Sequence, residues 1–254
     1  MFSFRGKRVL VAGGTGLIGI PLVDALVKEN AEVTIASLDT PRRVHDRARF
    51  VQTDLTSLEN CVQVVRGMDY VFNLLGIKGS PEIVRQEPAM FFVPHLLFNT
   101  SLMEAARSAG AVGFLYTSSF GVYGPAEIFY EDDMWKSFPS KNDWFAGWAK
   151  RMGELQAEAY QQDQKCRWKN ISIVRPSNTY GGSDNFWSKG AMVIPSLIKR
   201  VVDGENPLRV WGDGSQVRDF IHASDVARGM MLVAKKGFTQ PVNLGSGTGV
   251  SIRT

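Results

Sequence analysis

A glycine loop near the start of the chain sets the tightest limit on what it can fold into. Gly13-Gly14-Thr15-Gly16-Leu17-Ile18-Gly19 follows the short apolar run Arg8–Ala12 directly and opens an apolar-periodic stretch over residues 17–29. Strand, glycine turn and helix in that order make a phosphate cradle. Glycines at 13, 16 and 19 permit a tight turn, close backbone approach to a pyrophosphate and close helix–strand packing. The phosphates then rest on the helix N-terminus, where unpaired N–H groups and the dipole favour an anion. This context predicts a dinucleotide site contacted by Gly13, Thr15, Gly16, Leu17, Ile18 and Gly19.

The pattern repeats along the chain. Further apolar runs stand at 32–37, 70–75, 114–118 and 171–175, with helical periodicity around 57–66, 94–109 and 145–162. Such alternation predicts an α/β fold, a Rossmann doubly wound parallel sheet with helices on both faces. After Arg175 the composition shifts towards Gly, Asn and Ser. Residues 1–175 therefore read as a dinucleotide-binding domain, and 176–254 mainly as a small substrate-binding lobe that partly returns to it. Residues 243–254 read as strand, glycine turn and Ser251 as a helix N-cap. The lobe is expected to be truncated, since the chain stops where a helix should begin.

Composition narrows the classes of partner. The net charge is +4, and the basic residues are scattered apart from Arg42, Arg43, Arg47 and Arg49. A nucleic-acid footprint needs a broader basic stripe, so no nucleic acid is expected. Cys61 and Cys166 stand in no CxxC pair and near no histidine at ligand spacing. They predict free thiols in a reducing compartment and no metal site. No apolar stretch reaches the roughly 18 residues that a membrane span needs. The first apolar run passes straight into the glycine loop, which makes it a buried strand rather than a signal peptide. A cytoplasmic location is expected.

Cofactor choice turns on the end of the second strand. An acid there binds the ribose 2′-hydroxyl of NAD, whereas NADP sites place arginine nearby. Ser37 is neutral towards a 2′-phosphate, and Arg42 and Arg43 suit bidentate pairing with it. NADP is therefore expected. Asp39 keeps NAD open as the alternative, and the arginines also read as a solvated basic helix start. Asp54 and Leu55 are placed near the adenine edge, although Asp54 or Thr56 would serve equally as a helix N-cap. Leu74, Leu75, Gly76 and Pro176 follow strands at the carboxyl ends, where ligands of such sheets bind.

Three downstream blocks complete a pattern that resembles the extended short-chain dehydrogenase/reductase family of nucleotide-sugar enzymes. They are Thr117-Ser118-Ser119-Phe120-Gly121-Val122-Tyr123-Gly124, Gly147-Trp148-Ala149-Lys150 with Glu154, and Val174-Arg175-Pro176-Ser177-Asn178-Thr179-Tyr180-Gly181 followed by Arg218-Asp219-Phe220-Ile221-His222. Asp184-Asn185-Phe186 with Met192-Val193-Ile194-Pro195 is similar to the GDP-fucose synthase branch, which is NADPH-dependent.

The resemblance implies roles position by position. The family serine falls on Ser119, which would bond the substrate oxygen; read alone, Ser119 is also a serine capping the next turn. The family lysine falls on Lys150, which would hold the nicotinamide ribose. The family tyrosine belongs four residues earlier, one helical turn away. That position is Ala146, and no tyrosine occurs between Tyr130 and Tyr160. Ser119, Tyr123 or water would have to replace it. The cysteine and histidine that the fucose branch uses for epimerisation correspond to Phe120 and Met192, so its double epimerisation is not expected.

His95 stands at the apparent place of the family asparagine, with Asn99 one turn on. Asn178 and Arg218 resemble the residues that hold the substrate diphosphate; the other readings are a capping Asn and an Arg218–Asp219 surface pair. Val193 and Lys78 complete the expected substrate contacts, and Lys78 is equally readable as solvated. His222 reads as a packed strand residue. Trp144 and Trp148, four apart beside the lysine, are placed to wall the site. The implied activity is epimerisation, reduction or dehydration at C4 of a nucleotide-diphosphate hexose, by a homodimer joined through the helices around 94–109 and 145–162. The alternatives are a non-catalytic binder of cofactor or nucleotide sugar and an RNA-binding atypical member.

Overall fold

The computed structural model describes residues 2–40, 44–77, 81–166, 168–187, 190–210 and 212–253, the side chains of 81 and 82 excepted. Arg42, Arg43 and Lys78 lie outside the described residues.

Among the described residues, seven parallel strands form one sheet: β1 (Arg8–Ala12), β2 (Glu32–Ser37), β3 (Arg49–Gln52), β4 (Tyr70–Asn73), β5 (Gly113–Thr117), β6 (Ile171–Pro176) and β9 (Val242–Leu244). Their order across the sheet is β3-β2-β1-β4-β5-β6-β9. The inner strands β1, β4, β5 and β6 are almost wholly buried, which is why they read as unbroken apolar runs. Alternate side chains feed two cores. Val9, Val11, Val33, Ile35 and Phe72 pack with Leu22, Leu26 and Val27 of α1 (Gly19–Lys28) and with Met230 and Met231 of α7 (Ala223–Lys236). Leu10, Ala12, Val71, Phe114 and Tyr116 face α2 (Leu58–Val65), α4 (Pro88–Ser108) and α5 (Trp144–Gln162).

Between these helices lies the short α3 (Pro81–Gln86). The C-terminal part adds β7 (Asn178–Tyr180), α6 (Val193–Val202), β8 (Val217–His222) and β10 (Gly249–Ser251). β7 runs parallel to β8 and β10 antiparallel to it, making a small second sheet. Between β8 and β10 the chain re-enters the main fold through α7 and β9, the latter pairing with β6. Among the described residues no helix is long and apolar enough to cross a membrane.

Some local expectations are corrected. The helix expected from Pro94 begins at Pro88, whose missing N–H is harmless at a first turn, and Pro94 lies inside it. The N-cap of α2 is Ser57, whose hydroxyl accepts from the Asn60 N–H; neither Asp54 nor Thr56 fills that place. Asp54 instead closes a local turn by accepting from Thr56 N and Oγ1 at 2.9 and 2.8 Å. His222 is exposed, not packed. It caps α7 by accepting from the Ser224 N–H, with its ring edge-on to Tyr180.

Candidate active site

The glycine loop is built for close approach. Gly13 has φ +80°, and a Cβ there would lie 3.2 Å from the Leu74 carbonyl oxygen. At Gly19 a Cβ would come within 2.3 Å of the Gly13 oxygen, so only glycine lets α1 start directly beneath the turn. Leu17 is buried and Ile18 is the helix N-cap, with no side-chain bond capping the end. In the first turn the Ile20 N–H is taken by the Gly16 carbonyl and Pro21 carries none, so the backbone space for an anion is that of the glycine loop and the very start of the helix.

Asp39 is drawn back to this loop. Thr15 Oγ1 lies 3.0 Å from Ser37 Oγ and donates to Asp39 Oδ2 at 3.1 Å, while Ser37 Oγ stands 3.2 Å from the same carboxylate oxygen. Sequence spacing gave Ser37 priority. The fold instead brings the Asp39 carboxylate beside the glycine loop, just past the end of β2. Leu55, which the sequence reading set with Asp54 at the adenine edge, is buried in the core.

Lys150 marks the opposite end of the cleft. Its ammonium donates to the Thr117 carbonyl at 2.9 Å and the Leu75 carbonyl at 3.1 Å, bridging the carboxyl ends of β5 and β4. Burial pushes this lysine down to about 8, partly opposed by the Glu154 carboxylate one turn on. The Thr117 hydroxyl is buried without a partner among the described residues, as is a polar group whose partner comes with a ligand. The glycine loop, where added Cβ atoms would clash, and the unpaired hydroxyl fit a dinucleotide at the carboxyl ends of the strands.

Ser119 stands in extended conformation two residues after β5 ends. Its hydroxyl accepts from the Gly121 N–H at 3.1 Å and caps the 3-10 turn Phe120–Val122. Ser119 and Lys150 thus converge on one strand end. Tyr123 does not join them. Its phenol accepts from Arg175 at 2.6 Å and donates to Asn243 at 2.7 Å, and burial pushes it above the usual tyrosine range despite the arginine. Ala146 is half-buried on the first turns of α5, four residues before Lys150.

Two buried polar assemblies escaped the sequence reading. In the first, Asn73 donates to Asn99 at 3.0 Å, Asn99 donates to Tyr116 Oη at 3.0 Å, and Tyr116 donates to the Lys150 carbonyl at 3.3 Å. This chain ties β4, α4 and β5 to the turn of α5 that carries the lysine. Polar residues inside apolar runs, Asn73 and Tyr116, were the available signal. In the second, Glu154 pairs with Arg175 at 2.6 Å, both side chains 3% exposed or less, and accepts from Ser118. The neighbouring Arg151 donates to the Val122 and Ser137 carbonyls and lies between the rings of Trp135 and Trp148. Together they fix the 118–137 segment that presents Ser119.

His95 is buried. Nδ1 lies 2.5 Å from the Phe91 carbonyl, which makes it the protonated nitrogen, and Nε2 accepts from the Ile77 N–H. Burial, with Lys150's charge, pushes it down to about 4, so it is neutral at pH 7. Trp144 and Trp148 meet edge-to-face at 6.0 Å beside Phe138.

In the small sheet, Asn178 donates to the Asp219 carbonyl at 3.0 Å. Arg218 is exposed and donates to the Val217 carbonyl, not to Asp219. Asp219 instead clamps the turn after β9, accepting from Ser177, Ser246 and the Gly247 N–H. Val193 is the first residue of α6.

The fold and this cleft define a Rossmann-type α/β protein with a phosphate cradle facing a buried lysine. The chain belongs to the NAD dependent epimerase/dehydratase family, whose model matches residues 9–245. Among known proteins it is similar to GDP-L-fucose synthase 1 of Arabidopsis thaliana, at 29% identity over 99% of this chain and 76% of that one. The epimerase Mth375 of Methanothermobacter thermautotrophicus superposes with a TM-score of 0.86 at 29% identity, covering 98% of this chain and 74% of that one. MoeE5, solved in complex with UDP-glucuronic acid and NAD, gives 0.80 at 30% identity, over 97% and 79%.

Proposed function

We propose that this chain binds NAD and a nucleotide-diphosphate hexose and acts at C4 of the sugar through a keto form, as an epimerase, reductase or dehydratase. The observation that carries the reading is the convergence of Ser119 and Lys150 with the glycine loop at the carboxyl ends of the parallel strands. The nicotinamide, when bound, supplies the hydride chemistry. Gly13, Thr15, Gly16, Leu17, Ile18 and Gly19 hold the pyrophosphate, with Asp54 and Leu55 towards the adenine, while Lys150 and Ser119 meet the reacting end. Asn178, Arg218, Val193 and Lys78 take the diphosphate side of the sugar nucleotide, and residues after 175 form most of its lobe. The exposed Met90, Val93 and Leu97 of α4, with Leu155 of α5, support a homodimer through these helices. Incubation with NAD and a panel of nucleotide hexoses, followed by nicotinamide absorbance and product analysis, tests the reading. Absence of both turnover and sugar binding overturns it.

NAD replaces the NADP expected from Ser37, Arg42 and Arg43. A carboxylate held by Thr15 and Ser37 repels a 2′-phosphate and accepts from a 2′-hydroxyl. The expected result is tighter binding of NAD than NADP by calorimetry, with Asp39→Ala narrowing the gap by about tenfold, a loss of roughly 1.4 kcal/mol. Equal affinities in the parent protein contradict it.

One observation favours a second reading. Ala146 removes the family's acid–base phenol, as expected of a binder that senses cofactor or nucleotide sugar without turnover. Tight binding of both with no product separates it from the first.

A further inference from the structure

Loss of the phenol at 146 leaves proton transfer at the sugar oxygen unassigned, and the groups around the strand ends can be taken in turn. Tyr123 is spent on Arg175 and Asn243. His95 has both ring nitrogens engaged, by Phe91 and Ile77. Tyr116 is buried and turned into the body of the fold, towards Asn99 and the Lys150 carbonyl. Glu154 is committed to Arg175 and Ser118. Ser119 has a hydroxyl to offer, but a serine does not titrate near neutral pH.

Lys150 remains. An ammonium has three protons to donate. The Leu75 and Thr117 carbonyls take two, and among the described residues no third partner is present. Those carbonyls aim the group at the gap between β4 and β5, two residues from Ser119.

We infer that the Lys150 ammonium itself exchanges a proton with the sugar C4 oxygen, beyond the ribose-holding role the family gives this lysine. The inference rests on the nucleotide-sugar reading above. In the oxidative direction the neutral amine takes the hydroxyl proton while hydride leaves the same carbon for the nicotinamide. The sugar O–H and C–H bonds would break while its C=O, the lysine N–H and a nicotinamide C–H bond form, the sugar being oxidised and the nicotinamide reduced. Reduction is the reverse, with the ammonium as donor.

The charged and titratable groups facing Lys150 are Glu154 on its own helix, His95 from α4 and Tyr116 from β5, whose ring lies 5.4 Å from the ammonium. Burial outweighs Glu154 and brings the lysine to about 8, so both protonation forms are populated near neutral pH. Oxidation, which needs the amine, rises as pH climbs through about 8; reduction, which needs the ammonium, falls over the same range.

Two readouts test this. In protein labelled with 13C-lysine, NMR should show one lysine titrating near 8, absent from Lys150→Arg and Lys150→Gln. Lys150→Arg, which keeps the charge but does not release its proton, should lose about a hundredfold in kcat and lose the inflection in the pH profile. Its Kd for NADH should change less than tenfold. Lys150→Gln covers the case in which arginine does not fit the buried site, and thermal unfolding shows which variant is folded. No lysine titrating below about 10, or a folded Lys150 variant with the parent rate and pH profile, overturns this role while leaving the nucleotide-sugar reading intact. A parent protein that binds NADH yet turns over no nucleotide hexose overturns that reading and this role together.

Discussion

Ala146→Tyr is expected to raise turnover of a nucleotide hexose by about tenfold or more, the gain of a phenol acting beside the Lys150 ammonium, where a lone acid–base group is worth about a hundredfold or more. Residue 146 lies one helical turn before Lys150 on the same face of α5, so a phenol there projects towards the strand end that carries Ser119. The Lys150 charge would favour the phenolate, and Asn99 and Tyr116 already hold the helix turn through the Lys150 carbonyl. The half-buried alanine leaves room on the cleft side, while the Trp144–Trp148 pair sets the limit on crowding. Initial rates of parent and variant on the same sugar panel decide the matter. A folded variant that binds NAD yet gains less than tenfold shows that the missing phenol is not what limits the rate.

Glu154→Ala is expected to destabilise the protein by about 3–5 kcal/mol, the cost of leaving a buried charge without its partner. Arg175 keeps its bonds to Tyr123 and the Glu131 carbonyl but loses both carboxylate bonds in a site almost closed to water. Ser118 loses its acceptor at the same time. Replacing both partners, Glu154→Leu with Arg175→Met, should cost much less, since no bare charge then remains. Urea unfolding of the two variants measures the difference. Equal losses would mean that the pair contributes by filling space rather than by charge compensation.

What the sequence revealed follows from how each residue is used. The inner strands and α1 were legible because their side chains are buried on both faces or on one regular stripe. β3 was not: it is an edge strand with half-exposed residues and charged or polar ends, Arg49 and Gln52. The strand at β9 was read from residue 243 on, but its parallel pairing with β6 spans a long chain separation that no local pattern reports. At the site, Ser119 and Lys150 were proposed from the resemblance, because each lies in a short motif that is contiguous in sequence. Tyr123 looked equally available, because nothing local shows that its phenol is held by Arg175 and Asn243, 52 and 120 residues away. Asp39 was underweighted for a related reason. Ser37 is its near neighbour in the chain, but only the β1–β2 pairing brings Thr15 beside it.

The central claim is that hydride leaves or enters C4 of a nucleotide-bound hexose in this cleft. It is tested most directly by incubating the protein with NAD and nucleotide hexoses deuterated at C4, then examining cofactor and sugar by mass spectrometry. The expected result is deuterium on the nicotinamide, or label redistributed between sugars through it, lost in a folded Lys150→Gln variant. Bound NAD and bound sugar with the label unmoved at C4 would contradict the claim.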